Sequence, residues 1–177
     1  MVFAGNLMPR LHVCSLALIG DTVARSGARS LITLLSPGAV IERPAPIEPH
    51  RHLYLAVSDI IEPVPGQVMP DATHLTDLLD FVLGWDRAEP MAIHCFAGVS
   101  RSTAAAFIAA CALSPARDEF AIARSLRLAS PTATPNARLV ALADIALKRN
   151  GRMSAAIAEI GRGEPCFEGT PFTLEVN

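Results

Sequence analysis

What the chain lacks narrows it before any motif is considered. Its four cysteines, Cys14, Cys95, Cys111 and Cys166, lie far apart and form no Cys-x-x-Cys pair, so neither a zinc site nor a disulfide scaffold organises it. His12, His50, His52 and His74 have no carboxylate or cysteine neighbours at ligand spacing, and no metal is expected. Basic runs are missing, and 15 Lys and Arg against 17 Asp and Glu leave a formal net charge of −2. Neither nucleic acid nor an anionic membrane is therefore an expected partner. The apolar residues between Met1 and Gly20 lack a basic leader and are interrupted by Pro9, Arg10 and His12. They read as neither signal peptide nor membrane span, which makes the cytoplasm the expected location. Repeats and low-complexity blocks are also absent. What remains is 177 residues, 51% of them hydrophobic, the makings of one compact core.

The most informative stretch runs from Met91 to Ser102. Met91, Ala92 and Ile93 read as a short buried strand, and the Ala-rich run after Arg101 reads as a buried helix. A loop passing from a strand into a helix N-terminus gathers backbone N–H groups and the positive end of the helix dipole at one point, which suits an anion. Cys95 stands at the entrance of that loop, where the same N–H groups favour its thiolate and make it a nucleophile. Gly98 allows the tight backbone of a cradle. Arg101 is placed to bring a planar guanidinium back onto two oxygens of a bound phosphate.

His94-Cys95, five residues, then Arg101-Ser102 resembles the signature of the cysteine-dependent protein tyrosine phosphatases, with every signature position filled. The resemblance implies that Cys95 attacks phosphorus and that Phe96, Ala97, Gly98, Val99, Ser100 and Arg101 form the phosphate cradle. It further implies that Ser102 donates a hydrogen bond to sulfur and that His94 orders the loop from behind. No metal or organic cofactor is required by such chemistry. The resemblance spans roughly residues 10–148, including the segment from Ala129 to Asn136, and is detailed only at the loop.

In chain order, Leu11 to Ile19 reads as a strand and Gly20-Asp21 as the turn into a short helix that Gly27 ends. Ser30 to Leu35 reads as a second strand lying beside the first, and Arg51 to Val57 as a third. Thr73 to Trp85 has helical spacing. Ser114-Pro115 looks like the start of a helix reaching Ala129, Thr134-Pro135-Asn136 like the start of another, and Arg152 to Ile160 like a short last helix. The expected fold is α/β, with a central mainly parallel sheet, helices on both faces and the phosphate loop between a strand and a helix. Residues 1–148 would form the catalytic domain. Residues 149–177 would be an extension packed on it, whose alternating tail covers an edge strand or a sheet face, or swaps between subunits.

A general acid is also needed, and Asp59 is the first candidate. It closes a strand, as Cys95 does, and the two would face one crevice if those parallel strands are neighbours. The resemblance agrees, since dual-specificity members carry their acid on a loop some thirty residues before the cysteine. Asp71 and Glu62, in or beside the same Pro-rich loop, stay open as alternatives.

The expected function is hydrolysis of phosphomonoesters through a cysteinyl-phosphate, with a phosphorylated protein as substrate: phosphotyrosine, with phosphoserine or phosphothreonine as further targets. A phosphatase of phosphoinositides or nucleotides shares the signature, although lipid-headgroup readers often carry Lys within the loop and residues 96–100 have none. From a different class, a phosphate-reading interaction module without turnover would keep the same pocket.

Overall fold

The computed structural model describes residues 9–176; the part of the Met1 to Gly20 reading that concerns residues 1–8 lies outside them, as does Asn177. Five strands, β1 (Arg10–Ser15), β2 (Ser30–Leu35), β3 (His52–Ala56), β4 (Met91–Cys95) and β5 (Phe172–Glu175), form one sheet in the order β3-β2-β4-β1-β5. β1 to β4 are parallel and only β5, on the edge against β1, is antiparallel. Six helices follow the strands: α1 (Ile19–Ser26), α2 (Ala72–Leu83), α3 (Arg101–Leu113), α4 (Glu119–Ala129), α5 (Ala137–Ala146) and α6 (Arg152–Ile160). The α/β class, the mainly parallel sheet and helices on both faces agree with the sequence reading. Among the described residues no helix is long and apolar enough to cross a membrane.

β4 is buried along its whole length, as a strand covered on both faces must be, and its unbroken apolar start is the sequence form of that burial. On one face Leu11, Val13, Met91, Ile93 and Cys95 meet α3, of which every residue but Ala112 is buried. A run of alanines suits that position, because small side chains let the helix axis lie close to the sheet while Phe107 and Ile108 fill the space beside it. On the other face Cys14, Leu31 and Ala92 pack against Ile19 and Val23 of α1.

Three sequence expectations change. β1 ends at Ser15 rather than Ile19: Leu16–Leu18 form a single 3-10 turn, and α1 starts at Ile19. Ile19 and Val23, one helical turn apart, bury together, so helical packing claims the end of the apolar run. β2 is not beside β1, since β4 lies between them; β2 and β4 are both buried along their whole length, so their apolar pattern alone does not rank them in the sheet. α4 starts at Glu119, not at Ser114-Pro115, because Asp118 accepts the Ala121 N–H at 2.9 Å as N-cap while Ser114 ends α3. By contrast, α6 occupies the expected residues, and Gly27, at φ 71°, closes α1.

The segment from Gly161 onward packs along the rest of the fold. It runs past Thr132 to Thr134, and ends as β5, which pairs Arg10–Val13 with Phe172–Glu175 and so covers the β1 edge. This is one of the three placements open from the sequence.

Asp71 turns out to be a helix cap. Its Oδ1 accepts the Thr73 and His74 amides at 2.9 and 3.1 Å, and His74 Nδ1 accepts the Asp71 N–H in return. These bonds, that from the His74 amide first, hold its carboxyl below the usual range. Asp71→Ala should therefore lose about 1 kcal/mol of stability in urea unfolding, as N-cap truncations do, while Asp71→Asn, which keeps the accepting oxygen, should lose much less.

Candidate active site

Residues 95–101 join the C-terminal end of β4 to the N-terminus of α3, and the carbonyls of this loop are tied on its outside. Leu16 N–H donates to Phe96 O at 3.1 Å, Gly169 N–H to Ala97 O at 2.8 Å, Thr134 N–H to Val99 O at 2.9 Å, and Asn136 N–H to Ser100 O at 3.2 Å. The Thr103 hydroxyl reaches Val99 O and Ser100 O as well. Among the described residues every peptide bond is trans. A trans peptide sets C=O and N–H on opposite sides, so tying these four carbonyls outward turns the N–H groups of Ala97, Gly98, Ser100 and Arg101 toward the loop interior. Gly98 makes the turn at φ 72°, and a Cβ there would stand 2.8 Å from the Cys14 carbonyl carbon, so glycine is required for both conformation and space.

Cys95 is buried at the base of this cradle, its Sγ 3.1 Å from Ser102 Oγ. Arg101 is only 6% exposed; its Nη1 donates to Val57 O at 2.9 Å and lies 3.4 Å from Ser36 Oγ. Its Nε is the one buried side-chain nitrogen or oxygen among the described residues that has no hydrogen-bond partner. With Nη1 committed to the β3 end, the Nε–Nη2 edge remains, and that edge makes paired hydrogen bonds to an oxyanion. Phe96 is 68% exposed at the mouth of the loop.

Behind the loop His94 is fully buried, its Nδ1 3.3 Å from Cys95 O and its Nε2 2.8 Å from Thr33 Oγ1. A carbonyl only accepts, so Nδ1 carries the proton, Nε2 accepts the Thr33 hydroxyl, and that hydroxyl accepts Nε2–H from His52 at 2.9 Å. Burial drives the His94 pKa down to about 4, helped by nearby His52 and Arg101 and opposed by the Cys95 carbonyl. The ring is thus neutral at physiological pH and its tautomer is fixed. Neither Thr33 nor His52 is visible as a site residue in the sequence, because the contacts run across strands.

Asp59 reaches the loop from the side. Its Oδ1 accepts Ser100 Oγ–H at 2.7 Å and Asn136 Nδ2–H at 2.9 Å. The route differs from the expected one: β3 and β4 are not neighbours, for β2 lies between them. The loop after β3 crosses the end of β2, closed at its base by Ser58 N–H to Val68 O at 2.8 Å and Val68 N–H to Ser58 Oγ at 3.1 Å. Asn136 was missed as a site residue, although its capping role was readable; it caps α5 through Leu139 N–H and also holds Asp59 and Ile60 O. Glu62 lines the cleft beside Asp59, whereas Asp71 is absent from that lining.

No protein-family model and no curated protein sequence matches the chain. Solved structures do. DUSP15 aligns with a TM-score of 0.59 at 17% identity, covering 87% of this chain and 94% of its own. Human DUSP28 aligns at 0.58 and 18%, covering 84% and 94%, and the Cydia pomonella PTP-2 phosphatase at 0.55 and 20%, covering 75% and 82%. The chain has the dual-specificity phosphatase fold.

On this dual-specificity phosphatase fold, a loop of inward N–H groups, a buried thiol at its base and a free guanidinium edge make a site that can bind a tetrahedral oxyanion above sulfur. The neutral His94 has a measurable consequence. Between pH 6.5 and 4 the unfolded chain takes up a proton that folded His94 refuses, so stability falls as pH drops through that window, by about 3 kcal/mol for a shift of this size. Thermal unfolding from pH 7 to 4.5 should show that decline, and His94→Gln should make it shallower. Parallel curves for the two proteins would show that His94 does not stay neutral.

Proposed function

We propose that the chain is a cysteine-dependent phosphomonoester hydrolase acting on phosphorylated proteins, phosphotyrosine foremost and with dual specificity. The observation that carries the reading is the tied-back loop with Cys95 Sγ at its base, 3.1 Å from the Ser102 hydroxyl. In the first step Cys95 thiolate attacks phosphorus and the S–P bond forms as the P–O bond to the leaving group breaks. Arg101 and the loop N–H groups hold the three other phosphoryl oxygens. Asp59 gives its proton to the departing oxygen, Ser100 and Asn136 having fixed its carboxyl. Water then attacks the cysteinyl-phosphate, Asp59 takes a proton from it, and the Ser102 hydroxyl stabilises the returning thiolate. Neither step calls on a metal or organic cofactor.

The cleft beside the loop supports a protein substrate over a polyanionic one. It measures about 650 Å³ and is walled by Ile60, Ile61, Val64 and Pro135. Asp59 and Glu62 are its charged lining residues, with no Lys or Arg among them. Such walls repel the extra phosphates of a nucleotide or an inositide and accept the apolar neighbours of a phosphorylated side chain. The four cysteines are all free thiols, which suits the reducing cytoplasm.

Phosphate release from p-nitrophenyl phosphate in EDTA should be readily measurable and lost in Cys95→Ser; vanadate binding without turnover by the wild type would identify an interaction module instead. Asp59→Asn should lose about 10² to 10⁴ in kcat on phosphotyrosine peptides and clearly less on difluoromethylumbelliferyl phosphate, whose leaving group departs without a proton. Asp71→Asn should behave as wild type on both. Arg101→Lys keeps the charge and loses the paired hydrogen bonds, so kcat/KM should drop by about 10² or more with the fold intact.

A further inference from the structure

We propose that residues 161–176 are part of the working site: they form a strap that holds the Ala97–Gly98 peptide in its cradle orientation, with Gly169 and Glu168 as positioning residues for the hydrolysis proposed above. The strap is fastened at both ends. At its start Gly163 donates to Thr134 Oγ1 at 3.1 Å and Glu164 N–H to Pro131 O at 3.0 Å; at its finish β5 pairs with β1 and Val176 N–H reaches Pro9 O at 3.0 Å. Phe172, Leu174 and Val176 are buried in the core. The residues between these anchors are held against the phosphate loop.

Two contacts are made there. Gly169 N–H donates to Ala97 O at 2.8 Å, and no other donor to that carbonyl exists among the described residues. Because C=O and N–H oppose each other across a trans peptide, this bond is what aims the Gly98 N–H inward. The approach is also sterically tight: a Cβ on Gly169 would come within 2.8 Å of Gly98 O. Glycine thus faces glycine, with Gly98 pressed against Cys14 and Ser15 on its other side. The second contact is the Ser15 hydroxyl, which donates to Glu168 Oε1. Ser15 is buried and paired in register with Cys95, and the next residue, Leu16, supplies the N–H that ties Phe96 O. Glu168 therefore steadies the corner that sets one loop peptide while Gly169 sets the next. Both act through the loop and neither need touch substrate.

The test separates positioning from mere stability. Gly169→Ala should lower kcat/KM on p-nitrophenyl phosphate about 10²-fold, weaken vanadate binding at least 10-fold, and slow alkylation of Cys95 by iodoacetate at pH 6. Glu168→Ala and Ser15→Ala should each cost roughly 5- to 30-fold in kcat. Glu168→Gln, whose amide oxygen still accepts the Ser15 hydroxyl, should recover most of that loss. Val82→Ala removes core volume near the C-terminal end of α2, which leads to the start of β4 and away from the loop; it should lower the melting temperature and leave kcat and vanadate affinity unchanged below it. Gly169→Ala or Glu168→Ala with wild-type vanadate affinity and alkylation rate overturns the proposal, as does an equal loss in Val82→Ala. Should the wild type bind vanadate but hydrolyse nothing, the hydrolase reading fails, while the vanadate and alkylation comparisons still decide the role of the strap.

Discussion

A backbone that offers its N–H groups to a ligand must find partners for its carbonyls elsewhere. An unpaired buried carbonyl costs about 1–3 kcal/mol, and the loop after β4 has four that are tied to donors outside it. The donors arrive from three distant parts of the chain: the turn after β1 sends Leu16, the segment before α5 sends Thr134 and Asn136, and the C-terminal segment sends Gly169. The order of the sheet follows the same need. With β4 in the centre and β1 beside it, Ser15 lies opposite Cys95 and Leu16 lies next to Phe96. A cradle of this kind is built from outside, and much of the fold serves as its frame.

Arg101 connects that frame to Asp59. By giving Nη1 to the Val57 carbonyl, the guanidinium fixes its own plane and at the same time ties the end of β3, two residues before Asp59. Asp59 in turn is pinned to Ser100, the residue before Arg101, and to Asn136, whose own N–H holds the Ser100 carbonyl. A displacement of any one of these groups shifts the others. This closed circuit is how Asp59, which follows a strand two places away, arrives at the loop despite the intervening β2.

The sequence made legible whatever is written in consecutive residues. The stretch from His94 to Ser102 shows its strand, loop and helix, and Cys95 and Ser102 indeed meet. Strand spans at β2 and β3 and the bounds of α6 follow from local pattern. Pairings between remote segments leave no such trace. Nothing in Leu31-Ile32-Thr33 announces that Thr33 will bridge His94 and His52, and a lone histidine such as His52 shows no partner until its neighbours across the sheet are known. The same blindness hid the insertion of β4 between β1 and β2. Asp71 was a competition between two local meanings, cap and acid, and the capping box with His74 accounts for it as a cap.

The position of the last strand also bears on how the molecule is made. A chain is synthesised from its N-terminus at about 5–20 residues per second, and a domain generally folds as a unit. β1 to β4 and all six helices precede Gly161 in that order, so the residues of the sheet centre, Cys95 and Arg101 included, are made before Gly169, the donor to the Ala97 carbonyl. The ribosome thus delivers the scaffold first and the final donor last. A chain ending before Gly169 would hold every residue of the loop and lack one of the four donors that tie it.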